Sequence, residues 1–160
     1  MKVGVLTGKE IHRARNLVYQ VFVLEQDWMI PENPTQLRVE KDELRDAYDS
    51  VATWFGAFDG DDLIACHRVC GRLHGYLELE HYHPIPDFIK QSDAAIEGNR
   101  LAVKKEYRSS PAVLALVRFA FRYLLERGCA FFFTTGSFPR PGALYARKFG
   151  LMKYWRAFSI

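Results

Sequence analysis

The sequence predicts an α/β domain with a mixed central sheet flanked by helices. The chain has 160 residues and 49% hydrophobic content, which suits a single domain over residues 1–160 with one sizeable core. Short β-rich runs alternate with segments whose apolar residues recur every three or four positions, and one pair of runs is joined by a hairpin turn. Alternation of this kind is typical of the α/β class.

The first half of the chain is predicted to hold three strands and one helix. The strands are residues 2–7, 51–58 and 63–70. Asp59-Gly60-Asp61 separates the last two and indicates a hairpin turn. Residues 9–25 carry their apolar side chains on one helical face. Residues 26–50 are polar, contain proline and are too long for a simple turn, so we expect a functional loop there.

The second half is predicted to add three strands and two main helices. The strands are residues 95–103, 129–135 and 151–158, and a short helix is expected at 143–150. The long helix is expected to be capped by Ser110, to start at Pro111, to run to Arg127 and to stop at Gly128.

Two further stretches have a distinct composition. The uninterrupted apolar run at 129–135 is typical of a strand that is covered on both faces. Residues 71–93 lack periodicity, apart from a short helix expected near residues 86–90.

The charges are divided unevenly along the chain. Residues 1–99 carry a formal net charge of −7, whereas residues 100–160 carry +10. The basic half would attract an anionic partner, unless the two halves neutralise each other where they pack. Nucleic acid is not the expected partner, because the basic residues are spread over several elements rather than clustered with surface aromatics.

Cysteine usage and hydropathy indicate an intracellular setting. Cys66, Cys70 and Cys129 are odd in number and show no repeated spacing, which is consistent with reduced thiols. The chain has no run of eighteen apolar residues, so we expect no membrane span. Because the first residues lack the layout of a signal peptide, we expect a cytoplasmic location.

A pair of charged residues interrupts the apolar strand predicted at 95–103. Glu97 and Arg100 lie inside it, and an unpaired buried charge is expensive. Glu97 in apolar surroundings would have a raised proton affinity, which suits a proton acceptor. Alternatively, Glu97 pairs with Arg100 or Arg68 and only neutralises a buried charge.

The order of elements, together with three local stretches, resembles the GNAT superfamily of N-acyltransferases. Residues 101–128, LAVKKEYRSSPAVLALVRFAFRYLLERG, are similar to its donor-binding strand, loop and helix. Residues 143–158, ALYARKFGLMKYWRAF, are similar to its closing tyrosine-bearing helix and final strand. VFVLEQDW at 21–28 is similar to the acceptor-side segment of several branches. The resemblance implies a GNAT-like fold and acyl transfer from a thioester to an amine, without a metal or a permanently bound cofactor.

The donor loop departs from the pattern of the acetyl-CoA-using members. Their motif is Q/R-x-x-G-x-G/A, whose bare amides at a helix N-terminus hold a pyrophosphate. Here Arg108-Ser109-Ser110-Pro111-Ala112-Val113 fills both glycine positions, and Pro111 has no N–H to donate. The remaining donors suit one phosphate better than two. A single phosphate is what the pantetheine arm of acyl carrier protein presents, so acyl carrier protein is the implied partner, with acyl-CoA as the alternative.

The same departure is found in the acyl-homoserine-lactone (autoinducer) synthases and the related N-acyl amino acid synthases. These resemble this chain at further positions, namely Phe22 and Trp28, Asp46 and Asp49, Arg68, and the Glu-x-x-Arg of Glu97 and Arg100. The family's arginine one helical turn before the phenylalanine falls on Val18, although Arg15 lies two turns before Phe22 and could reach the same side.

The resemblance implies a role for each of these residues. The implied donor-binding residues are Leu101, Val103, Arg108, Ser109, Ser110 and Ala112, and the implied acceptor-binding residues are Phe22, Trp28, Asp46, Asp49 and Arg68. Glu97 and Arg100 would be catalytic, and Tyr145 would protonate the departing sulfur, unless it is an ordinary packing residue. Backbone amides near Val103 would hold the thioester oxygen.

Several of these residues have a second interpretation. Asp46 and Asp49 would hold the ammonium of the acceptor, or they would fix Arg68 and Arg100 through charge-assisted hydrogen bonds. Phe22 and Trp28 would wall a pocket or belong to the core.

Other polar and apolar residues are interpreted more simply. Asp42 and Glu43 are interpreted as a solvated acidic stretch, and residues 131–133 would line an acyl tunnel or simply fill a buried strand. His81 and His83 have no third ligand nearby, so no metal site is expected.

Three functions are compatible with these observations. The first is transfer of an acyl group from acyl carrier protein or acyl-CoA to an amino acid or similar small amine. The second is acetyl-CoA-dependent acetylation of a small amine. The third is a catalytically silent ligand-binding domain on the same fold.

Overall fold

A computed structural model describes residues 1–28 and 35–134 of the chain. The strands are β1 (Lys2–Val5), β2 (Arg38–Glu40), β3 (Glu43–Arg45), β4 (Ala52–Asp59), β5 (Asp62–Cys70), β6 (Ala95–Val103) and β7 (Phe131–Thr134). The α-helices are α1 (Lys9–Val18), α2 (Asp87–Lys90) and α3 (Ala112–Leu125). No helix in these two ranges is long and apolar enough to cross a bilayer.

Five strands form the main sheet in the order β1-β4-β5-β6-β7. The pairs from β1 to β6 are antiparallel, whereas β6 and β7 run parallel, which confirms the predicted mixed sheet. Side chains that alternate along β4 and β5 enter two separate cores. Trp54 and Cys66 pack with α1 on one face, and Phe55 and Ala65 pack with α3 on the other. The sheet therefore lies between α1 and α3.

The first predicted helix is correct in place but changes type along its length. It is α-helical from Lys9 to Val18 and continues as a π-helical segment, Tyr19–Glu25. Ala14, Leu17, Val18 and Val21 are buried on the sheet side, as their spacing predicts. Apolar spacing alone does not separate an α-helical turn from the slightly wider π-helical turn, so the change was not predictable.

The loop predicted at residues 26–50 is wrong in its second part. That part contains the β2–β3 hairpin and a 3₁₀ helix, Ala47–Val51. Each strand of the hairpin has only three residues, which is too short to show an alternating pattern. Glu43, interpreted as solvated, is instead buried, and it contacts Arg45 and His12.

The later elements follow the prediction with shifted ends. Helix α3 starts at Ala112, one residue after the predicted Pro111, and ends at Leu125 rather than Arg127. Strand β7 starts at Phe131 and has an exposed first residue, so the expected cover on both faces does not extend to that position. The helix predicted at 143–150 and the strand predicted at 151–158 lie outside the described residues.

A β-bulge interrupts the pairing of β5 with β6. Cys66 pairs with Ala102 and Arg68 pairs with Asn99, so the two residues between them on β6 oppose a single residue on β5. Arg100 is one of the two, and its φ of 53° lies in the left-handed region that glycine prefers. A residue held there stores strain of about 1 kcal/mol or more, and such strain is concentrated at functional sites.

The strained backbone at Arg100 leads to a stability prediction. An Arg100→Gly variant is expected to be about 1 kcal/mol more stable than Arg100→Ala, because both lose the guanidinium but only glycine relaxes at positive φ. Urea unfolding of the two variants measures the difference. The same pair at Asn99, which is not in the left-handed region, should show the opposite order. Equal stabilities at position 100 would contradict the left-handed conformation.

Candidate active site

The centre of the site is Arg68, on the face of β5 that packs toward α1. Its side chain is 1% exposed. The guanidinium donates to Asp46 Oδ1 (2.7 Å), Asp49 Oδ1 (3.1 Å), Glu78 Oε2 (2.6 Å) and Asn99 Oδ1 (2.7 Å). Burial opposes the charge, yet Glu78 and Asp46 hold the pKa of Arg68 well above its ordinary value. Arg68 is therefore a fixed cation that organises the carboxylates around it.

Arg100 shares two of these carboxylates. Its Nη2 donates to Asp46 Oδ2 at 2.8 Å and to Glu78 Oε1 at 2.7 Å, so each carboxylate bridges the two arginines. Burial raises the pKa of Asp46, but Arg68 and Arg100 outweigh it and hold that pKa below its usual value. With its side chain 11% exposed, Arg100 is the more accessible of the two arginines.

Of the two aromatic residues predicted on the acceptor side, Trp28 adjoins Arg100 and Phe22 adjoins Trp28. The Arg100 guanidinium carbon lies 5.7 Å from the centre of the Trp28 ring, within the range of a cation–π contact. The ring of Phe22 meets Trp28 edge-on, with the ring centroids 5.8 Å apart. Both aromatics are partly buried against the core on the α1 face. The contacts match the core interpretation for both rings, and Trp28 in addition reaches the arginine.

Glu97 lies on the same face of β6 and is 3% exposed. The backbone N–H of Leu79 donates to its Oε2 at 2.9 Å. Burial, reinforced by the nearby Glu78 carboxylate, raises the pKa of Glu97 to about 7, although the Leu79 N–H, Arg68 and Asn99 favour the charged form. Glu97 makes no ion pair with any described residue, so the interpretation as a direct partner of Arg68 or Arg100 does not match the contacts.

Arg15 completes the ionic cluster from α1. Its Nε lies 3.1 Å from Asp49 Oδ2, so it reaches the same side as Phe22 despite the valine at position 18. The cluster holds three guanidinium groups and four carboxylates, namely Arg15, Arg68, Arg100, Asp46, Asp49, Glu78 and Glu97. The charges of the cluster cancel when one of the four carboxyl groups is protonated. Glu97 is the carboxyl group that has no arginine partner among the described residues.

The structure brings most of the predicted residues together and adds others. The described ion pairs of Asp46 and Asp49 are with arginines, as in the fixing interpretation, and both side chains also cap the 3₁₀ helix Ala47–Val51. Glu78 was missed because it lies in the aperiodic stretch 71–93, where a short 3₁₀ helix, Glu78–His81, turns it inward. The only feature of the sequence that could have identified Glu78 is its acidic side chain among apolar neighbours. Tyr145 lies outside the described residues.

The predicted donor loop follows β6. Arg108 Nη1 and Nη2 lie 2.5 and 2.6 Å from the two carboxylate oxygens of Glu25, and its Nε donates to the Val103 carbonyl at 3.3 Å. The Ser110 hydroxyl donates to the Tyr107 carbonyl at 2.7 Å and accepts from the Ala112 N–H at 3.3 Å. The loop is thus tied to the end of the π-helical segment. Ser109 is exposed and Ala112 is buried.

The strand edge beside the bulge is partly open within the described part of the chain. The pairing of β6 with β7 runs from Ala95↔Phe131 to Gly98↔Thr134. Beyond Gly98, no described strand pairs with β6 on that side, including near Val103, where the family resemblance implies free amides. Backbone N–H groups at such an edge are suited to a thioester oxygen.

Two other features lie away from these residues. A polar cleft of about 370 Å³ beside α1, next to Arg13, Gln20 and Lys104, is lined by none of the predicted site residues. Within residues 1–28 and 35–134, no group of three or more His, Cys, Asp or Glu side chains is arranged to hold a metal ion.

Comparison with known proteins places this geometry in a family. The family model described as N-acyl amino acid synthase FeeM matches residues 13–155. None of the curated proteins matches the chain. The structure of FeeM, an N-acyl amino acid synthase from uncultured soil microbes, is 14% identical, with a TM-score of 0.65 over 91% of this chain and 75% of that chain.

Two more solved structures share the fold. BjaI, a CoA-dependent acyl-homoserine lactone synthase solved with SAM and isopentyl-CoA, is 16% identical, with a TM-score of 0.65 over 86% of this chain and 64% of that chain. A GCN5-related N-acetyltransferase from Ralstonia eutropha JMP134 is 16% identical, with a TM-score of 0.61 over 99% of this chain and 97% of that chain. The expected GNAT-like fold is confirmed.

Proposed function

Because the chain belongs to the FeeM family of N-acyl amino acid synthases and is an N-acyltransferase, we propose that it acylates an amino acid or related small amine. The donor is an acyl thioester of acyl carrier protein or, alternatively, of coenzyme A, and residues 1–160 form one catalytic domain. The observation that carries the proposal is Glu97, a buried carboxyl with a pKa of about 7 that forms no ion pair with any described residue and lies three residues before the bulge residue Arg100.

Glu97 supplies the base that the reaction needs. The acceptor nitrogen attacks the thioester carbonyl, a C–N bond forms, and the nitrogen must lose a proton. The Glu97 carboxylate takes that proton, directly or through water, and a pKa of about 7 leaves it partly ionised near neutral pH. The C–S bond then breaks, and in this proposal the departing thiolate takes a proton from the Tyr145 hydroxyl.

The acceptor lies against Arg100, Phe22 and Trp28. Arg100 is less buried than Arg68 and lies beside the Trp28 ring, so its guanidinium is suited to a carboxylate of the acceptor. Asp46, Asp49 and Arg68 act through it, because they hold its guanidinium and the surrounding carboxylates in place. An amino acid, with one amine and one carboxylate, therefore fits this side better than a simple amine.

The donor approaches along β6 from the loop that precedes α3. Backbone N–H groups at Leu101 and Val103 hold the thioester carbonyl, and Arg108, Ser109, Ser110 and the start of α3 at Ala112 hold the phosphate. Pro111 removes one amide from this end, which favours the single phosphate of an acyl carrier protein.

The contact between Glu25 and Arg108 leads to a binding prediction. Glu25 occupies both terminal nitrogens of the guanidinium that the donor phosphate would use. Glu25→Gln is therefore expected to raise the affinity for an acyl-CoA by about threefold, since the pair is exposed and weak. Isothermal titration measures the change, and Arg108→Gln should lower the affinity. An unchanged affinity in both variants would show that Arg108 does not contact the donor.

Product analysis tests the proposed function. The purified protein is incubated with acyl carrier proteins and coenzyme A thioesters of different acyl length, together with a panel of amino acids and simple amines. Mass spectrometry is expected to detect an N-acyl amino acid, formed faster from the carrier protein. Acetylation alone, with no carrier-protein preference, would indicate an acetyl-CoA-dependent enzyme and would contradict the proposal.

A further inference from the structure

The opposite face of β6 carries a group of aromatic residues beside the bulge. The ring of Phe132 on β7 lies directly over Gly98, and a β-carbon added to Gly98 would collide with that ring. The Phe132 ring centroid lies 4.8 Å from that of Phe121 on α3 and 6.3 Å from the imidazole of His67. Phe121 and Phe132 are only partly buried. Gly98 is thus the position at which β6 lets an aromatic ring approach its backbone.

The aromatic wall formed by His67, Phe121 and Phe132 is close to the proposed reaction centre at Glu97 and Arg100. Gly98 precedes Arg100 by two residues, and it is the last residue of β6 that pairs with β7 in the described chain. From Ala95 to Gly98, strand β6 is a hydrogen-bonded neighbour of β7 in the sheet. An acyl tail that extends past the bulge therefore cannot continue between the strands and must turn to one face.

The two faces offer the tail very different surroundings. One face holds the ionic cluster around Arg68, where an alkyl chain would displace hydrogen bonds and gain little. The other face holds Phe132, Phe121 and the partly buried Ile96, where the burial of methylene groups is favourable. The tail belongs on the α3 face.

His67 lies beside Phe132 on this face. It is 5% exposed, and its Nδ1 has no hydrogen-bond partner among the described residues. Its Nε2 would lie 3.0 Å from a β-carbon on Gly98, so the ring edge is directed at the same spot as Phe132. Burial lowers the pKa of His67 to about 4, so the imidazole is neutral at pH 7 and does not repel an apolar chain.

We propose that Phe132 determines the length of the acyl group by closing the apolar wall over Gly98. This inference rests on the proposed function and adds a residue that sets its donor specificity. The ring takes up space that additional methylene groups would otherwise fill, so the longest acyl chain accepted ends against it. A smaller side chain at position 132 extends the subsite.

The test compares Phe132→Ala with a control in the same strand. Phe131 is 37% exposed, points to the other face and contacts Phe88, so Phe131→Ala removes an identical side chain next to the subsite but outside it. Butyryl-, hexanoyl-, octanoyl- and dodecanoyl-CoA are titrated into each protein, and turnover is measured with the best acceptor. The ratio of dodecanoyl to butyryl affinity is expected to rise about tenfold or more in Phe132→Ala and to stay unchanged in Phe131→Ala.

Phe132→Leu is measured as well, so that the test remains decisive if Phe132→Ala does not fold. It keeps much of the volume, and a smaller shift in the same direction is expected from it. Tight binding of the thioesters with the same length preference in both Phe132 variants would overturn the inference while leaving the proposed function intact. An equal shift in Phe131→Ala would also overturn it. Absence of binding and turnover with every thioester in the wild-type protein would instead contradict the proposed function.

Discussion

Replacing Glu97 with glutamine is expected to remove most of the acyl transfer while making the folded protein more stable. The amide cannot accept the proton of the acceptor amine, and loss of a general base typically costs about 10²–10⁴-fold in rate. The glutamine oxygen can still accept the hydrogen bond from the Leu79 N–H, so the local structure should persist. Activity assays and urea unfolding on the same preparation measure both effects.

The gain in stability has a defined pH dependence. The pKa of Glu97 rises from 4.5 to about 7 on folding, so the folded protein favours the neutral carboxyl. The contribution of the neutral Glu97 carboxyl to the stability of the wild type is fully present below pH 4.5 and is lost as the pH rises through about 7. The glutamine variant should therefore match the wild type in acid and exceed it by up to about 3 kcal/mol at pH 8. Glu106→Gln, at an exposed position, is the matched control and should show no such difference.

The same ionisation should appear in the kinetics. Since the base works only as a carboxylate, kcat/KM of the wild type is expected to increase as the pH rises through about 7. Residual activity of Glu97→Gln should lack this rise. A variant that keeps the same rise would place the base at another residue.

Replacing Arg68 with methionine is expected to destabilise the fold by about 3–5 kcal/mol. Removal of one partner from a buried ion pair leaves the other charges without compensation, and Arg68 contacts three carboxylates. Methionine has a similar length, so loss of packing contributes little. Urea unfolding at pH 7 measures the effect. Arg38→Met, which breaks an exposed pair with Glu40, should cost less than about 1 kcal/mol.

A second substitution separates charge from packing at Arg68. If the loss comes from uncompensated carboxylates, Asp46→Asn in the Arg68→Met background should restore part of the stability. In the wild-type background the same Asp46→Asn change should be destabilising, because Arg68 and Arg100 both lose a partner. Additive effects of the two substitutions would show that the ion pair is not the cause.

The sequence was sufficient for the elements that have a clear period and for the residues in spaced motifs. Strands β4, β5 and β6 were predicted to within a residue of their ends, because their runs are long and the turn at 59–61 separates two of them. Glu97, Arg100 and Arg68 were identified as candidates because a family resemblance places them at defined intervals. Their mutual contacts could not be read from those intervals.

What the sequence could not predict has two physical causes. The β2–β3 hairpin and the turn that brings Glu78 inward are too short to leave a periodic pattern. The bulge depends on a positive φ at Arg100, a residue whose type favours no such conformation. Tertiary contacts of the Arg100 side chain, chiefly with Asp46 and Glu78, hold it in place on this backbone.

The double bridging by Asp46 and Glu78 limits how the acceptor preference of this enzyme can diverge. Any substitution of Arg100 also removes an ion-pair partner from the carboxylates that neutralise Arg68. A change of specificity at Arg100 would therefore be accompanied by a less stable fold. Phe22 and Trp28 neutralise no buried charge, because they pack on the core and against each other, and Trp28 meets the Arg100 guanidinium through its ring. New acceptors should therefore be acquired through the aromatic pair, while the charged half of the site stays constant across related enzymes.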